Sequence, residues 1–145
     1  MRYFEDFSVG EVHRGGPLVV DADMIRAFAA QYDPQPFHLD EAAAALSFFH
    51  GLAASGWQTA GLTMRMMVDA LGVAGRFIGL EVDEMRWPLA VRPGDVLRVE
   101  IEIVEMRPLR SRQDYGLVKL KVTTLNQLDQ PLQHVRTTTL IGRRG

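Results

Sequence analysis

The chain contains no cysteine in 145 residues, which excludes disulfides and thiolate metal sites and fits a reducing compartment. It also lacks a dominant charge. Sixteen Lys and Arg stand against eighteen Asp and Glu, a formal charge of −2, so no nucleic-acid partner is expected, since that calls for a basic stripe or patch. The opening MRYFEDFSVGE has no apolar run of signal-peptide length, and a cytoplasmic location is expected. The least charged stretch, Gly51 to Val68, approaches the length that spans a bilayer, but Ser55, Gln58, Thr59, Thr63, Arg65 and three glycines interrupt it. It reads as a helix buried in protein, with no membrane partner. No linker, repeat or low-complexity tract divides the chain, and 47% of its residues are hydrophobic, so residues 1–145 are expected to form one globular domain.

The first half has helical periodicity. Met24, Ile25, Phe28, Ala29 and Tyr32 share one helical face, and Asp21 or Asp23 can cap its start. Pro34 ends that helix. Asp40 then precedes the helix-forming EAAAAL, and the long apolar helix follows a break near His50 and Gly51. In the second half the period changes to two. Leu97, Val99, Ile101 and Ile103 alternate with charged residues, as do Val118, Leu120 and Val122 with Lys119 and Lys121. Gly79 to Trp87 and Gln133 to Ile141 read as two further strands, and RPGD and NQLDQP are turn chemistry. Long strands joined by short turns imply an antiparallel sheet. The expected class is α+β, with the sheet wrapped around the apolar helix and covering most of its sides. A single sheet leaves edges that invite pairing, so a homodimer or larger homo-oligomer is expected.

YDPQPFHLD, Tyr32 to Asp40, carries the chemistry. Pro34 and Pro36 oppose a regular helix or central strand, and they separate an acid, Asp33, from an imidazole, His38. A turn on this loop can bring both to one side, where a carboxylate and an imidazole can do general acid–base work near neutral pH. The same residues also suit plain structural parts, Asp33 in a helix-ending turn and His38 before a capped helix. One Asp and one His are too few for a metal site, and no metal is expected.

AAQYDPQPFHLDEAAA resembles the signature of the MaoC-like dehydratases, the (R)-specific enoyl-CoA hydratase group of the hotdog superfamily. That signature is an Asp, one residue, an Asn, a Pro, one residue and a His, then a helix with a small residue. Asp33, Pro36 and His38 match it, with Ala43 or Ala44 as the small residue. HGLAASGWQT, RWPLAVRPGDVLRVEIEI and YFEDFSVGE are also similar to the family's sequences, so the resemblance covers nearly the whole chain. It implies a hotdog fold, a long helix wrapped by a curved antiparallel sheet, and a hydro-lyase that adds water to a 2-enoyl-CoA or removes it from a 3-hydroxyacyl-CoA. Coenzyme A enters only as part of the acyl-CoA substrate, and no cofactor is implied. Asp33 and His38 would be the catalytic pair, the Gly51 N–H would stabilise the enolate-like thioester oxygen, and Thr59 would line the site. The family's Asn is Gln35 here, which keeps the amide on an arm one carbon longer.

Other residues weigh less. Trp57, Met64, Met66 and Met67 could line an acyl tunnel but suit plain core. Arg107, Arg110 and Arg112 could meet coenzyme A phosphates but suit solvated surface, and His13, His50 and His134 read as structural. Two alternative functions remain: a hotdog thioesterase, which would place an acid on the central helix, whereas Gly51 to Val68 has none, or a non-catalytic hotdog subunit that binds acyl thioesters.

Overall fold

The structure, a computed structural model, describes residues 1–145. Its helices begin where a short polar side chain or a proline meets the first unpaired N–H groups. Asp21, rather than Asp23, caps α1 (Ala22–Tyr32), its Oδ1 accepting from the Met24 N–H at 2.8 Å. The proline-rich link, expected to be non-helical, holds a single helical turn, α2 (Pro36–Leu39). Pro36 occupies its first position, where the missing N–H costs nothing. Asp40 caps α3 (Glu41–Ala45) through the Ala43 N–H at 3.0 Å. Ser55 caps α4 (Gly56–Leu71), its Oγ accepting from the Trp57 N–H at 3.3 Å, and Gly72 ends it in the left-handed region at φ 66°.

The long helix is therefore shifted from the expected Gly51–Val68. Residues 51–55 are a loop, although Leu52, Ala53, Ala54 and Ser55 are all buried. Their apolar composition satisfies burial without a helix, because the N–H groups of Ala53 and Ala54 bond instead to the carbonyls of Phe37 and Val91. No helix is long and apolar enough to cross a membrane.

Five strands follow the order β1-β3-β4-β5-β2, every neighbouring pair antiparallel: β1 (Val12–Val19), β2 (Phe77–Arg86), β3 (Val96–Pro108), β4 (Tyr115–Leu125) and β5 (Pro131–Gly142). Four lie where strands are expected, β3 and β4 from the period-two pattern. Strand β1 is the addition. Gly15, Gly16 and Pro17 break its alternation, and its register against β3 slips between Gly15 and Leu18.

Helix α4 lies on the sheet. Met66, Met67 and Leu71 join Val99, Ile101, Val118 and Leu120 in one buried core. Fully burying such side chains stabilises the fold by roughly 1.5–3 kcal/mol each. The Thr63 and Thr124 hydroxyls, 2.6 Å apart, tie the helix to β4 inside this core. At β1 the approach is closer still: a Cβ on Gly15 would sit 2.9 Å from both Ala70 Cβ and the Met66 carbonyl oxygen. The opposite side of α4 is less covered than expected, since Trp57 and Met64 stay exposed in the single chain, as do Ile78, Leu80 and Val82 on the edge strand β2.

Gly15→Ala should therefore push α4 off the sheet, lowering stability by about 1–3 kcal/mol, as overpacking does. Thermal denaturation reads this directly, and a melting temperature equal to that of the wild type would show that α4 does not depend on the close approach.

Candidate active site

The proline link is shaped by its own backbone. The Gln35 N–H donates to the Asp33 carbonyl at 2.8 Å, a γ-turn centred on Pro34, whose fixed φ suits that turn. The turn carries Asp33 from the end of α1, where its N–H donates to the Ala29 carbonyl, to the side of α2 that bears His38. Asp33 Oδ2 lies 3.2 Å from His38 Nε2. The expected pair is thus in contact, and Asp33 also holds the plain helix-ending position.

His38 departs from expectation in one respect: it is buried on the helical turn α2 rather than carried on an open loop. Its Nδ1 lies 2.6 Å from the Ala53 carbonyl oxygen. A carbonyl can only accept, so Nδ1 carries a hydrogen and Nε2 is left as the nitrogen that gains or loses a proton. Gln35 fills the family's amide position, its Nε2 donating to Asp33 Oδ1 at 2.6 Å. Burial pushes the Asp33 carboxyl pKa up, but hydrogen bonds from Gln35 and Ser55 and the interaction with His38 together hold it below its ordinary value. Both ring nitrogens of His38 thus face acceptors, Nδ1 the Ala53 carbonyl and Nε2 the ionised Asp33 carboxylate, so the contact between the pair needs a proton on Nε2.

His38 lines a cleft of about 370 Å³, whereas Asp33, in contact with it, is not among the walls. His38 and Gln35 form its polar end, and Phe37, Phe49, Trp87 and Leu89 are among its apolar walls. Thr59 lines the cleft too. It is buried, and its hydroxyl reaches back to the Ser55 carbonyl at 3.5 Å within its own helix.

Gly51 holds a different place from the expected one. Its N–H donates to the Ala44 carbonyl at 3.0 Å, its carbonyl accepts from Arg92, and it is not among the cleft's walls. At φ +156° it occupies a backbone region open mainly to glycine. Among the cleft residues whose N–H has no protein acceptor is Gly56, at the start of α4.

The loop that leads there is held by a residue the sequence did not mark. The Arg92 guanidinium donates to the carbonyls of Phe49, Gly51 and Leu52, and its own backbone N–H donates to the buried carboxylate of Asp95. Only the turn in RPGD was visible in sequence; nothing local points to carbonyls some 40 residues away.

The remaining candidates stay outside the cleft. Met66 and Met67 are core, and Trp57 and Met64 are exposed. Arg107 is the penultimate residue of β3 and is not among the cleft's walls. Arg110 and Arg112 lie beyond it in the same exposed hairpin. His13 is held by Glu11 and Arg2, His134 lies against Thr123, and His50 is exposed at φ 53°.

One long helix on a five-stranded antiparallel sheet, with an acid–imidazole pair beside the start of that helix, makes this a hotdog protein. Residues 8–126 match the MaoC like domain, and the chain belongs to that family. The crystal structure of the MaoC-like dehydratase from Rhodospirillum rubrum is 42% identical, with a TM-score of 0.93 over 100% of this chain and 99% of that one. The (R)-hydratase from A. caviae involved in PHA biosynthesis is 25% identical, with a TM-score of 0.77 over 93% of this chain and 97% of that one. The 3-hydroxybutyryl-CoA dehydratase of Methylorubrum extorquens is 32% identical over 110 residues, 76% of this chain and 69% of that protein.

The lowered Asp33 pKa has a signed consequence. A carboxylate whose pKa is depressed on folding adds stability that is complete above the unfolded value of about 3.9 and lost as pH falls through the folded value. The melting temperature of the wild type, measured against that of Asp33→Asn, should fall between pH 5 and pH 2. A difference that stays flat over that range would show that Asp33 is not held ionised.

Proposed function

We propose that this protein is a hydro-lyase acting on acyl-CoA thioesters, adding water to a 2-enoyl-CoA or removing it from a 3-hydroxyacyl-CoA. The observation that carries this is the Asp33–His38 contact at 3.2 Å, with His38 Nδ1 tied to Ala53 so that Nε2 is the proton-transferring atom beside an apolar cleft. In the hydration direction the pair starts with a proton on His38 Nε2, facing the Asp33 carboxylate. Asp33 takes a proton from water as its oxygen bonds to C3, and Nε2 gives its proton to C2. Asp33 can then return its proton to the neighbouring Nε2, so the pair ends each cycle as it began. The Gly56 N–H, at the positive end of α4, takes the part of donor to the thioester oxygen that was expected of Gly51. Gln35 positions the carboxylate, and Thr59 lines the site.

Asp33→Asn and His38→Asn should each slow hydration of crotonyl-CoA on the order of a hundred- to ten-thousandfold, read as loss of enoyl absorbance. Asparagine suits His38 better than alanine because its amide can still donate to the Ala53 carbonyl and leaves no buried acceptor unpaired. Wild-type rates in both folded variants would remove the pair from the mechanism. Binding of acyl-CoA without turnover by the wild type would instead favour a non-catalytic subunit. The thioesterase alternative is weakened by α4, whose only acid, Asp69, is exposed and paired with Arg65 at 3.0 Å.

The working form is proposed to be a homodimer. The open β2 edge exposes Ile78, Leu80 and Val82, whereas Pro17 and the adjacent irregularity blunt the β1 edge. Light scattering should give at least twice the 16.3 kDa chain mass at micromolar concentration, and a monomer would count against the proposal.

A further inference from the structure

Trp87 is one wall of the cleft and is 42% exposed in the single chain. Its indole lies against the first residue of α4, so close that a Cβ on Gly56 would be 2.6 Å from indole Cε2. Its N–H donates to Gln133 Oε1 at 2.8 Å. An indole N–H can only donate, so the Gln133 amide has one permitted orientation, with Nε2 pointing away from Trp87. That nitrogen donates to Thr63 Oγ1 at 3.1 Å, and Thr63 meets Thr124 at 2.6 Å. Gln133, Thr63 and Thr124 are 1%, 2% and 0% exposed. A chain of hydrogen bonds, buried from Gln133 onward, thus runs from the cleft wall through β5 and α4 to β4.

The order along α4 gives this chain a meaning. Thr59 faces the cleft, while Thr63, one turn further, is sealed in the core and bonded to Gln133. Behind the indole N–H the space beneath α4 is occupied by paired amide and hydroxyl groups. An alkyl chain pushed into it would have to break those bonds with nothing to replace them, which is costly for buried polar groups.

We propose that Trp87, locked by Gln133 and Gly56, is the specificity-determining wall that restricts this site to short acyl chains. The inference rests on the acyl-thioester reading of the cleft and deepens it. Trp87 takes no part in proton transfer. Its effect is steric, and Gln133 positions it.

The test compares crotonyl-CoA with trans-2-octenoyl-CoA in the wild type, Trp87→Ala and Gln133→Leu. Binding of butanoyl-CoA and octanoyl-CoA is followed in parallel by calorimetry. The wild type should favour the short enoyl substrate in kcat/KM by on the order of a hundredfold, and Trp87→Ala should bring the two within about tenfold by admitting the longer chain. Gln133→Leu, which frees the indole, should fall between. If Trp87→Ala does not fold, Trp87→Leu keeps apolar bulk without the reach to Gln133 and should show the same shift in smaller measure.

A wild type that accepts both lengths equally, or folded Trp87 variants that keep the wild-type preference, would overturn the wall while leaving the activity intact. Binding of butanoyl-CoA over octanoyl-CoA, lost in Trp87→Ala, without hydration of any enoyl-CoA would support the wall and remove the proposed reaction. No binding of either thioester would overturn both.

Discussion

Everything in this chain is referred to the seat of α4 on the sheet. The helix meets β1 at a glycine with no room for a side chain, meets β4 through one buried hydroxyl pair, and fills the remaining space with methionine and leucine. Close packing of this kind is stiff. The start of α4 is thereby a fixed reference from which the unpaired Gly56 N–H and Thr59 face the cleft.

The catalytic side is then fastened to that reference from outside. His38 reaches the Ala53 carbonyl just ahead of α4, and Arg92 gathers three carbonyls of the loop before it. Neither interaction is part of a helix or sheet ladder. Each spans elements far apart in sequence, and together they set the position of Asp33 and His38 relative to the helix. The cleft is a consequence of these two fastenings as much as of the fold.

Much of this was legible in the residues. Alternation marked β3 and β4, whose inner residues are buried and whose outer ones are more exposed. Strands β2 and β5 were read without it, β2 being exposed along most of its length and β5 buried on both faces. The spacing of Asp33 and His38 marked the pair. Strand β1 was not visible because Gly15 and Gly16 remove the apolar partners that alternation needs, for the same reason that they let α4 approach. The start of α4 was set too early because a buried loop and a buried helix share one composition; only the Ser55 cap separates them. Gly51 is a loop residue rather than a free donor because of a bond to Ala44 that no local pattern encodes. The burial of His38, the grip of Arg92 and the Trp87–Gln133 bond lie between 15 and 46 residues apart in sequence, beyond the reach of any periodicity.

The two prolines around Gln35 have a consequence that the folded contacts do not reveal. Each fixes one backbone angle in the unfolded chain as well as in the folded one, and so reduces the conformational entropy that ordering the link must overcome, by about 0.4–1 kcal/mol per suitable proline. Part of the precision of the acid–imidazole pair is therefore written into covalent structure and not into packing. Replacing either proline could leave every hydrogen bond of the site in place and still enlarge the ensemble of arrangements that compete with it.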